Sequence, residues 1–284
     1  WETVTQYSVG VDEAFFDKRL NFTAEYYNKT QNDMLIPVPQ SGVTGLSSGV
    51  NTGEIVLNTG DLTNSGLEFS VNYLGEAGKI SYDIGANLTT LNNKINDLPS
   101  PINRYSLNGS FVTRTVEGRS LGEFYGNVAD GLFQSAAEVS SHATQNARTS
   151  PGDIRFKDLN DDDVINGDDM TFIGNPIPDF VYGFNLNMNY KKFTLKALFN
   201  GVSGNDIANV NMYRVGWIQN NSEYRNIMSD AWNNRWTTTN PSNTHPSIEY
   251  SSLNLPSLMD RVLEDGSYLR LNSLTLNYDI DLKS

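Results

Sequence analysis

The residues most able to do chemistry in this 284-residue chain crowd into one short run, Asp158-Leu159-Asn160-Asp161-Asp162-Asp163-Val164-Ile165-Asn166-Gly167-Asp168-Asp169. Counted as a twelve-residue cation loop, it offers side-chain oxygens at its first, third, fifth and twelfth positions, from Asp158, Asn160, Asp162 and Asp169. The Val164 carbonyl falls at the seventh position and hydrophobic Ile165 at the eighth. Calcium is the expected ion, because a hard cation takes about six to eight oxygens converging from one loop. Carboxylates this close repel one another unless a cation lies between them. Asp163 departs from the pattern by standing where glycine usually makes the sharp turn, and the last ligand is Asp rather than Glu, as in the dockerin variant. The plainer alternative is an acidic, solvated turn. If calcium binds, a structural role is expected rather than a signalling one.

Other chemistry is sparse. The absence of cysteine excludes a disulfide framework, thiolate catalysis and Cys-based metal sites. His142 and His245 are too few for a His-ligated catalytic metal, and neither has a Ser or Asp partner at a motif spacing. No nucleophile elbow, phosphate loop or metal triad occurs, so no enzyme is expected. A net charge of −13, from 20 Lys and Arg against 33 Asp and Glu, argues against nucleic acid as a partner. Trp217, Trp232 and Trp236, with Tyr213 and Tyr224, could stack on sugar rings, but packing inside a large loop explains them as well. Residues 221–236 read as a short amphipathic helix carrying Tyr224, Ile227, Met228, Ala231 and Trp232.

These residues are positioned by segments of strict alternation. Tyr7, Val9 and Val11 open the series, followed by Leu20, Phe22, Ala24 and Tyr26. The third segment has Leu67, Phe69, Val71 and Tyr73; the fourth has Ile80, Tyr82, Ile84, Ala86 and Leu88. Tyr182, Phe184, Leu186, Met188 and Tyr190 form the fifth, and Phe193, Leu195, Ala197 and Phe199 the sixth. The seventh holds Leu274, Leu276, Tyr278 and Ile280; Leu269 and Leu271 lie in opposite phase, which predicts a bulge near Asn272–Ser273. Period two gives each strand one apolar and one polar face.

Such faces suit either a soluble sandwich or a membrane barrel. Strands of about ten residues match a tilted bilayer crossing. Tyr7, Phe15, Tyr26, Tyr73, Tyr182, Tyr190 and Tyr278 lie toward row ends, as an interfacial girdle requires. Short turns at Phe16-Asp17-Lys18, Gly75-Glu76-Ala77-Gly78 and Lys191-Lys192 alternate with long segments at roughly 31–62, 92–179 and 203–266. Turns on the periplasmic side and long loops outside are the barrel arrangement. Glu13, Glu25, Glu68 and Asp83 are then expected on polar faces lining a water-filled interior. The sequons at Asn21, Asn28, Asn87 and Asn108 lie mostly in strands and carry no weight.

The mean hydropathy of −0.43 looks soluble, and no run approaches the roughly 18 apolar residues of a membrane helix. A barrel hides its lipid face in alternate residues. No signal peptide is expected at Trp1, and seven strands cannot close a barrel, so a piece of a larger one is expected.

Longer motifs carry a resemblance. They include Trp1-Glu2, Val9-Gly10-Val11-Asp12, Asn58-Thr59-Gly60 and Asn64-Ser65-Gly66-Leu67-Glu68. Gly118-Arg119-Ser120-Leu121-Gly122-Glu123-Phe124-Tyr125-Gly126 and Gly131-Leu132-Phe133-Gln134 follow. Pro151-Gly152-Asp153-Ile154 leads through the acidic loop into Ile173-Gly174-Asn175-Pro176 and Pro178-Asp179-Phe180. Arg235-Trp236-Thr237 and Glu264-Asp265-Gly266-Ser267-Tyr268-Leu269-Arg270 complete the set. Over essentially its whole length the chain resembles the C-terminal part of SusC/RagA-type TonB-linked outer-membrane transporters of Bacteroidetes.

That resemblance implies an all-β fold: seven to eight strands of a 22-stranded antiparallel transmembrane barrel with long extracellular loops. It implies import of oligosaccharides or peptides too large for porins, energy from TonB, a SusD-like surface lipoprotein as lid, and outer-membrane lipid around the wall. The plug, the TonB-contacting segment, the earlier strands and the last strand are expected outside this sequence. The alternative reading is a calcium-stabilised surface β-sandwich adhesin. Exposure of Phe184, Leu186 and Met188 to lipid separates the two, because a sandwich buries that row against a second sheet.

Overall fold

A computed structural model describes residues 1–39, 54–107, 110–209, 211–212, 226–247 and 258–280. The chain opens with β1 (Thr3–Phe15), β2 (Leu20–Asn32), β3 (Leu35–Pro39), β4 (Glu54–Asn58), β5 (Asp61–Ala77) and β6 (Ile80–Thr90). Next come β7 (Asn92–Asp97), β8 (Ile102–Leu107), β9 (Ser110–Thr115), β10 (Glu123–Asn127), β11 (Ala129–Leu132), helix α1 (Ala136–Ser141), β12 (Ile154–Phe156) and β13 (Met170–Gly174). The remainder is β14 (Phe180–Tyr190), β15 (Phe193–Ser203), β16 (Asp206–Ala208), helix α2 (Ser229–Asn234), β17 (Leu258–Met259), β18 (Leu263–Asp265) and β19 (Tyr268–Tyr278).

The seven alternating segments form seven long strands of one antiparallel sheet, in the order β1-β2-β5-β6-β14-β15-β19, with β7 pairing the far part of β5. Because directly paired residues share a face, the register shows where the apolar rows run. Glu13, Phe22, Val71, Ala86, Phe184, Phe199 and Leu271 form one such row across all seven strands. The predicted bulge is present: Leu198 pairs with Ser273 and Phe199 with Leu271, leaving Asn272 as the extra residue. It lets both phases of β19 present leucine to the same face.

Two details differ from the sequence reading. Glu13 shares the apolar face with Val9, Val11 and Phe22, two residues from the strand end. A carboxylate there reaches the interface, where charge is tolerated. Gly75, Glu76 and Ala77 belong to β5, so the turn shrinks to Gly78-Lys79, with Ala77 paired to Ile80. Gly78 takes a φ of +64°, which fits glycine, and the other short turns place Phe16, Asp17, Lys18 and Lys191 in the same left-handed region. Gly75 lies beneath the Tyr82 ring, where a Cβ would come within 2.2 Å of a ring carbon.

Among the described residues nothing dry covers the apolar face. Phe184 is 39% exposed, Leu186 and Met188 are half-buried, and β14 packs principally against its sheet neighbours β6 and β15. Among the described residues no second sheet lies over that row, which removes the sandwich. Aromatic residues mark both ends of it. Tyr190, Phe193 and Tyr278 cluster at the short-turn end, the last two with ring centroids 4.7 Å apart. Tyr182 and the Tyr7–Tyr26 pair (6.3 Å) lie toward the other end. Tyr182 and Tyr190 are eight residues apart, about 26 Å along a strand. Tilt brings that to about 20 Å, near the height of a membrane barrel's apolar band.

The dry core lies elsewhere, among the long connections. Phe124, Leu132, Ile154, Phe156, Leu258, Met259 and Val262 pack together, with Ile165, Ile173, Ala208 and Leu263 against them. A second sheet, β13-β10-β9-β8, frames this core. Its strand β10 pairs in parallel with β17, which joins the segment before β14 to the segment after β15.

Candidate functional site

The polar face of the long sheet is built from alternate residues. Across β5, β6 and β14 it presents Asn72, Asn87, Asn185, Asn187 and Asn189. Gly85 faces Asn185 and Gly183 faces Asn87, so each amide lies over a residue without a side chain. Local hydrogen bonds hold two of these groups: Asn72 Nδ2 donates to Asp83 Oδ1 at 2.5 Å, and Thr194 Oγ1 to Asn189 Oδ1 at 2.8 Å. Such a surface offers both donors and acceptors to polar ligands.

Charge on this face is unevenly spread. Asp12, Glu25, Glu68, Glu76 and Asp83 lie on β1, β2, β5 and β6, with Lys29 among them. Lys196 and Arg270 lie beyond the asparagine strip, on β15 and β19. Glu25 and Glu68 are direct cross-strand partners, an arrangement that like charges disfavour. At the short-turn end a shallow hollow of about 380 Å³ is lined by Arg19, Glu76, Ser81, Asp83, Asn187 and Asn189.

At the other end stands the packed loop module. Buried Glu123 accepts from the Arg119 guanidinium at 2.6 Å and from the Ser120 amide at 2.9 Å, so its charge is compensated. The same guanidinium lies 3.9 Å from the Phe172 ring centroid. Asp260 Oδ1 accepts from the Ala129 amide, and the Ser247 amide donates to the Gly152 carbonyl at 2.8 Å. Trp236 is buried over Gly152, where a Cβ would come within 2.5 Å of its ring, and its Nε1 donates to Gln134 Oε1 at 3.0 Å. Trp236 is therefore packing. Trp232 is half exposed beneath the Arg235 guanidinium at 4.0 Å. Among the described residues the expected helix is present only as α2, which buries Ala231 and leaves Trp232 outward, with Met228 exposed at its N-cap. Trp217, Tyr213, Tyr224 and helix positions 221–225 lie outside the described residues.

The acidic loop is held by its own side chains. Asp158 accepts from the amides of Asp162 (3.3 Å) and Asp163 (2.8 Å), and Asp162 Oδ1 from the Val164 amide at 2.9 Å. Asn160 donates to Asp162 Oδ2 and accepts from the Asp162 amide. Asp163 has φ +64°, so it adopts the backbone that glycine would have supplied, a conformation aspartate enters more readily than most residues. Thr144 bridges Val164 through the Asp163 carbonyl and the Ile165 amide, leaving the Val164 carbonyl out of both bonds. Asp169 is fully buried, accepting from the amides of Leu159 and Asn166 at 2.8 Å each, and so ties the two ends of the loop together. Among the described residues no three carboxylate, imidazole or thiol groups form a metal-holding cluster. The loop's carboxylates are arranged around amides, with lone pairs still available on each.

Sequence spacing gave no sign of one polar tie. His245 Nε2 lies 2.9 Å from Asp230 Oδ2, and His245 Nδ1 lies 2.9 Å from Thr244 Oγ1. The His245 contact, then one from Asn234, holds the Asp230 carboxyl below its ordinary range. Asp230 and His245 are separated by a stretch with no regular period, so only the folded module brings them together.

Comparison with known proteins places this architecture. The profile of the family described as "TonB dependent receptor-like, beta-barrel" matches residues 1–160. TonB-dependent receptor P3 of Formosa agariphila is 31% identical over 99% of the chain, and TonB-dependent receptor SusC of Bacteroides thetaiotaomicron is 24% identical over 98%. The chain spans 27% and 26% of those proteins. The solved structure of the RagAB peptide transporter superposes with a TM-score of 0.76 at 23% identity, covering 98% of this chain and 28% of that one. At that identity the superposition establishes the fold. These relatives are receptors and transporters, and the barrels of this family are outer-membrane proteins. With a family profile over more than half its length and an antiparallel wall of matching architecture, the chain belongs to the TonB-dependent receptor β-barrel family, as a SusC/RagA-type part of the barrel.

Proposed function

We propose that this chain is the C-terminal part of the wall of a multi-pass outer-membrane importer that takes up oligosaccharides or peptides with a SusD-like lipoprotein as lid. One observation carries the reading: a single sheet whose outer face is apolar and uncovered, whose inner face is asparagine-rich and charged, and whose long connections fold into a compact module at one end. The module then faces outward and supplies the surface on which the lid closes. TonB acts through the plug-bearing part of the parent protein, and released ligand passes along the polar wall. The RagAB and SusC likenesses support this kind of partner.

The test is co-purification of a surface lipoprotein with the tagged parent protein, coupled to uptake of labelled oligosaccharides and peptides with and without TonB. Uptake of one class that requires both partners is expected. Uptake that survives loss of TonB overturns the reading.

We also propose that residues 158–169 hold a structural calcium ion through Asp158, Asn160, Asp162, the Val164 carbonyl and Asp169. The left-handed Asp163 supports it, as does the Val164 carbonyl, which neither bond of the Thr144 bridge uses. Calcium should slow amide exchange across the loop, and a D158A/D162A double variant should abolish that response. Identical exchange with calcium and with chelator defeats the proposal.

A further inference from the structure

Within the same loop, Asn166-Gly167 combines three features whose consequence is covalent and independent of any bound ion. Both residues are exposed. The Asp168 amide donates to Asn166 Oδ1 at 2.7 Å, folding the side chain back over the Gly167 peptide. Asn166 has a ψ of −157°, which turns the Gly167 nitrogen toward the side of the Cα–C bond that carries Cβ.

We propose that Asn166-Gly167 is a site of intramolecular deamidation. The Gly167 amide loses its proton to solvent base, and its nitrogen attacks Asn166 Cγ. An N–Cγ bond forms and the Cγ–Nδ2 bond breaks, so ammonia leaves and a five-membered imide remains. Water opens the imide at either carbonyl and yields aspartate or isoaspartate. The net reaction consumes one water and releases one ammonia. The Asp168 N–H is aimed at the oxygen that gains negative charge as Cγ becomes tetrahedral, which favours the attack. Among the described residues the Gly167 amide donates no hydrogen bond, and with no Cβ beside it the nitrogen is sterically open.

The molecule contains its own control. Asn200-Gly201 has the same dipeptide within β15, but both residues are laddered, Asn200 to Gly183 and Arg270, and Gly201 to Tyr182 and Leu269. A Cβ on Gly201 would come within 2.3 Å of the Tyr268 carbonyl oxygen, so the backbone there has no room to form a ring. Each product at position 166 alters the loop differently. Aspartate adds a carboxylate at the ninth position and keeps the cap on the Asp168 amide. Isoaspartate inserts an extra backbone carbon between Asn166 and Gly167 and separates the cap from the short helix Gly167–Asp169 that Asp169 closes.

The experiment incubates the folded full-length protein in detergent at mildly alkaline pH in heavy-oxygen water, followed by peptide mass mapping. Conversion of Asn166 with heavy-oxygen incorporation is expected, with isoaspartate among the products and Asn200 intact. The G167A variant should react roughly tenfold more slowly or less, since a methyl group shields the nitrogen. It should fold normally, because a Cβ at Gly167 meets nothing within 4 Å. An unmodified Asn166, conversion of Asn200 at the same rate, or a G167A rate equal to the parent's overturns the proposal.

Discussion

The long sheet and the loop module are made from one chain but are stabilised in opposite ways. In the sheet, large apolar side chains remain uncovered: Val9 is 72% exposed, Leu276 68% and Leu274 63%. In the module, Leu258 and Met259 are fully buried and Phe133, Ile154 and Val262 nearly so. The module keeps its apolar residues from water by packing them together, as any soluble domain does. The sheet pairs each strand with its neighbours and leaves its apolar rows to lipid. One sequence thus contains two solvent regimes, divided where the strands end.

The strongest attack on that contrast is a cavity in the module. Leu258→Ala should cost about 2–5 kcal/mol locally, because the strand pairing that holds β10 to β17 leaves little freedom to collapse around the gap. Proteolysis of the long connections should rise sharply, while heat-modifiability of the barrel on gels stays unchanged. If the barrel melts with the module, the two are not separate regimes.

The converse substitution addresses the sheet. Leu186 lies near the middle of the apolar row, paired with Ile84 and Ala197. Leu186→Arg should destabilise the barrel by about 2–4 kcal/mol in a bilayer, measured by reversible unfolding from lipid vesicles, and leave loop proteolysis unaltered. Little effect would mean that water, not lipid, meets this face.

The smallest effect is electrostatic and confined to the module. The Asp230 carboxyl is held below its ordinary value of 3.8 by His245 and then Asn234. A depressed folded-state pKa contributes stability that is present above the ordinary value and lost as pH falls through the lowered one. Protection of the amides around α2, corrected for intrinsic exchange at each pH, should therefore hold at neutral pH and fall only below about 3.8, and D230N should remove that acid dependence. Loosening that begins nearer neutrality would assign the effect to another group.

Much of the sheet was legible because its signal is local. Alternation over about ten residues identifies a strand and both its faces, and the phase slip between Leu271 and Leu274 located the bulge at Asn272. Polarity points Glu13 to the lumen, but parity with Val9 and Val11 puts it on the apolar side. Gly75 reads as a loop residue in the sequence, whereas it accommodates the Tyr82 ring within the strand pair and leaves Gly78-Lys79 as the turn. The acidic loop announced its capacity for hydrogen bonds. It did not announce that Asp169 would be buried and committed to two amides.

By itself, then, the sequence determined the seven strands, their two faces, their turn pattern and the identity of the crowded oxygen donors, because each depends on neighbours within about a dozen residues. Tertiary structure decided that two connections far apart in the chain share one core, that β10 runs parallel to β17, that Trp236 is buried while Trp232 is half exposed, and that Asp230 meets His245. Those outcomes have no period to read, since irregular segments find their partners through long-range packing, and the free energy of that packing belongs to the assembled surfaces rather than to either stretch alone.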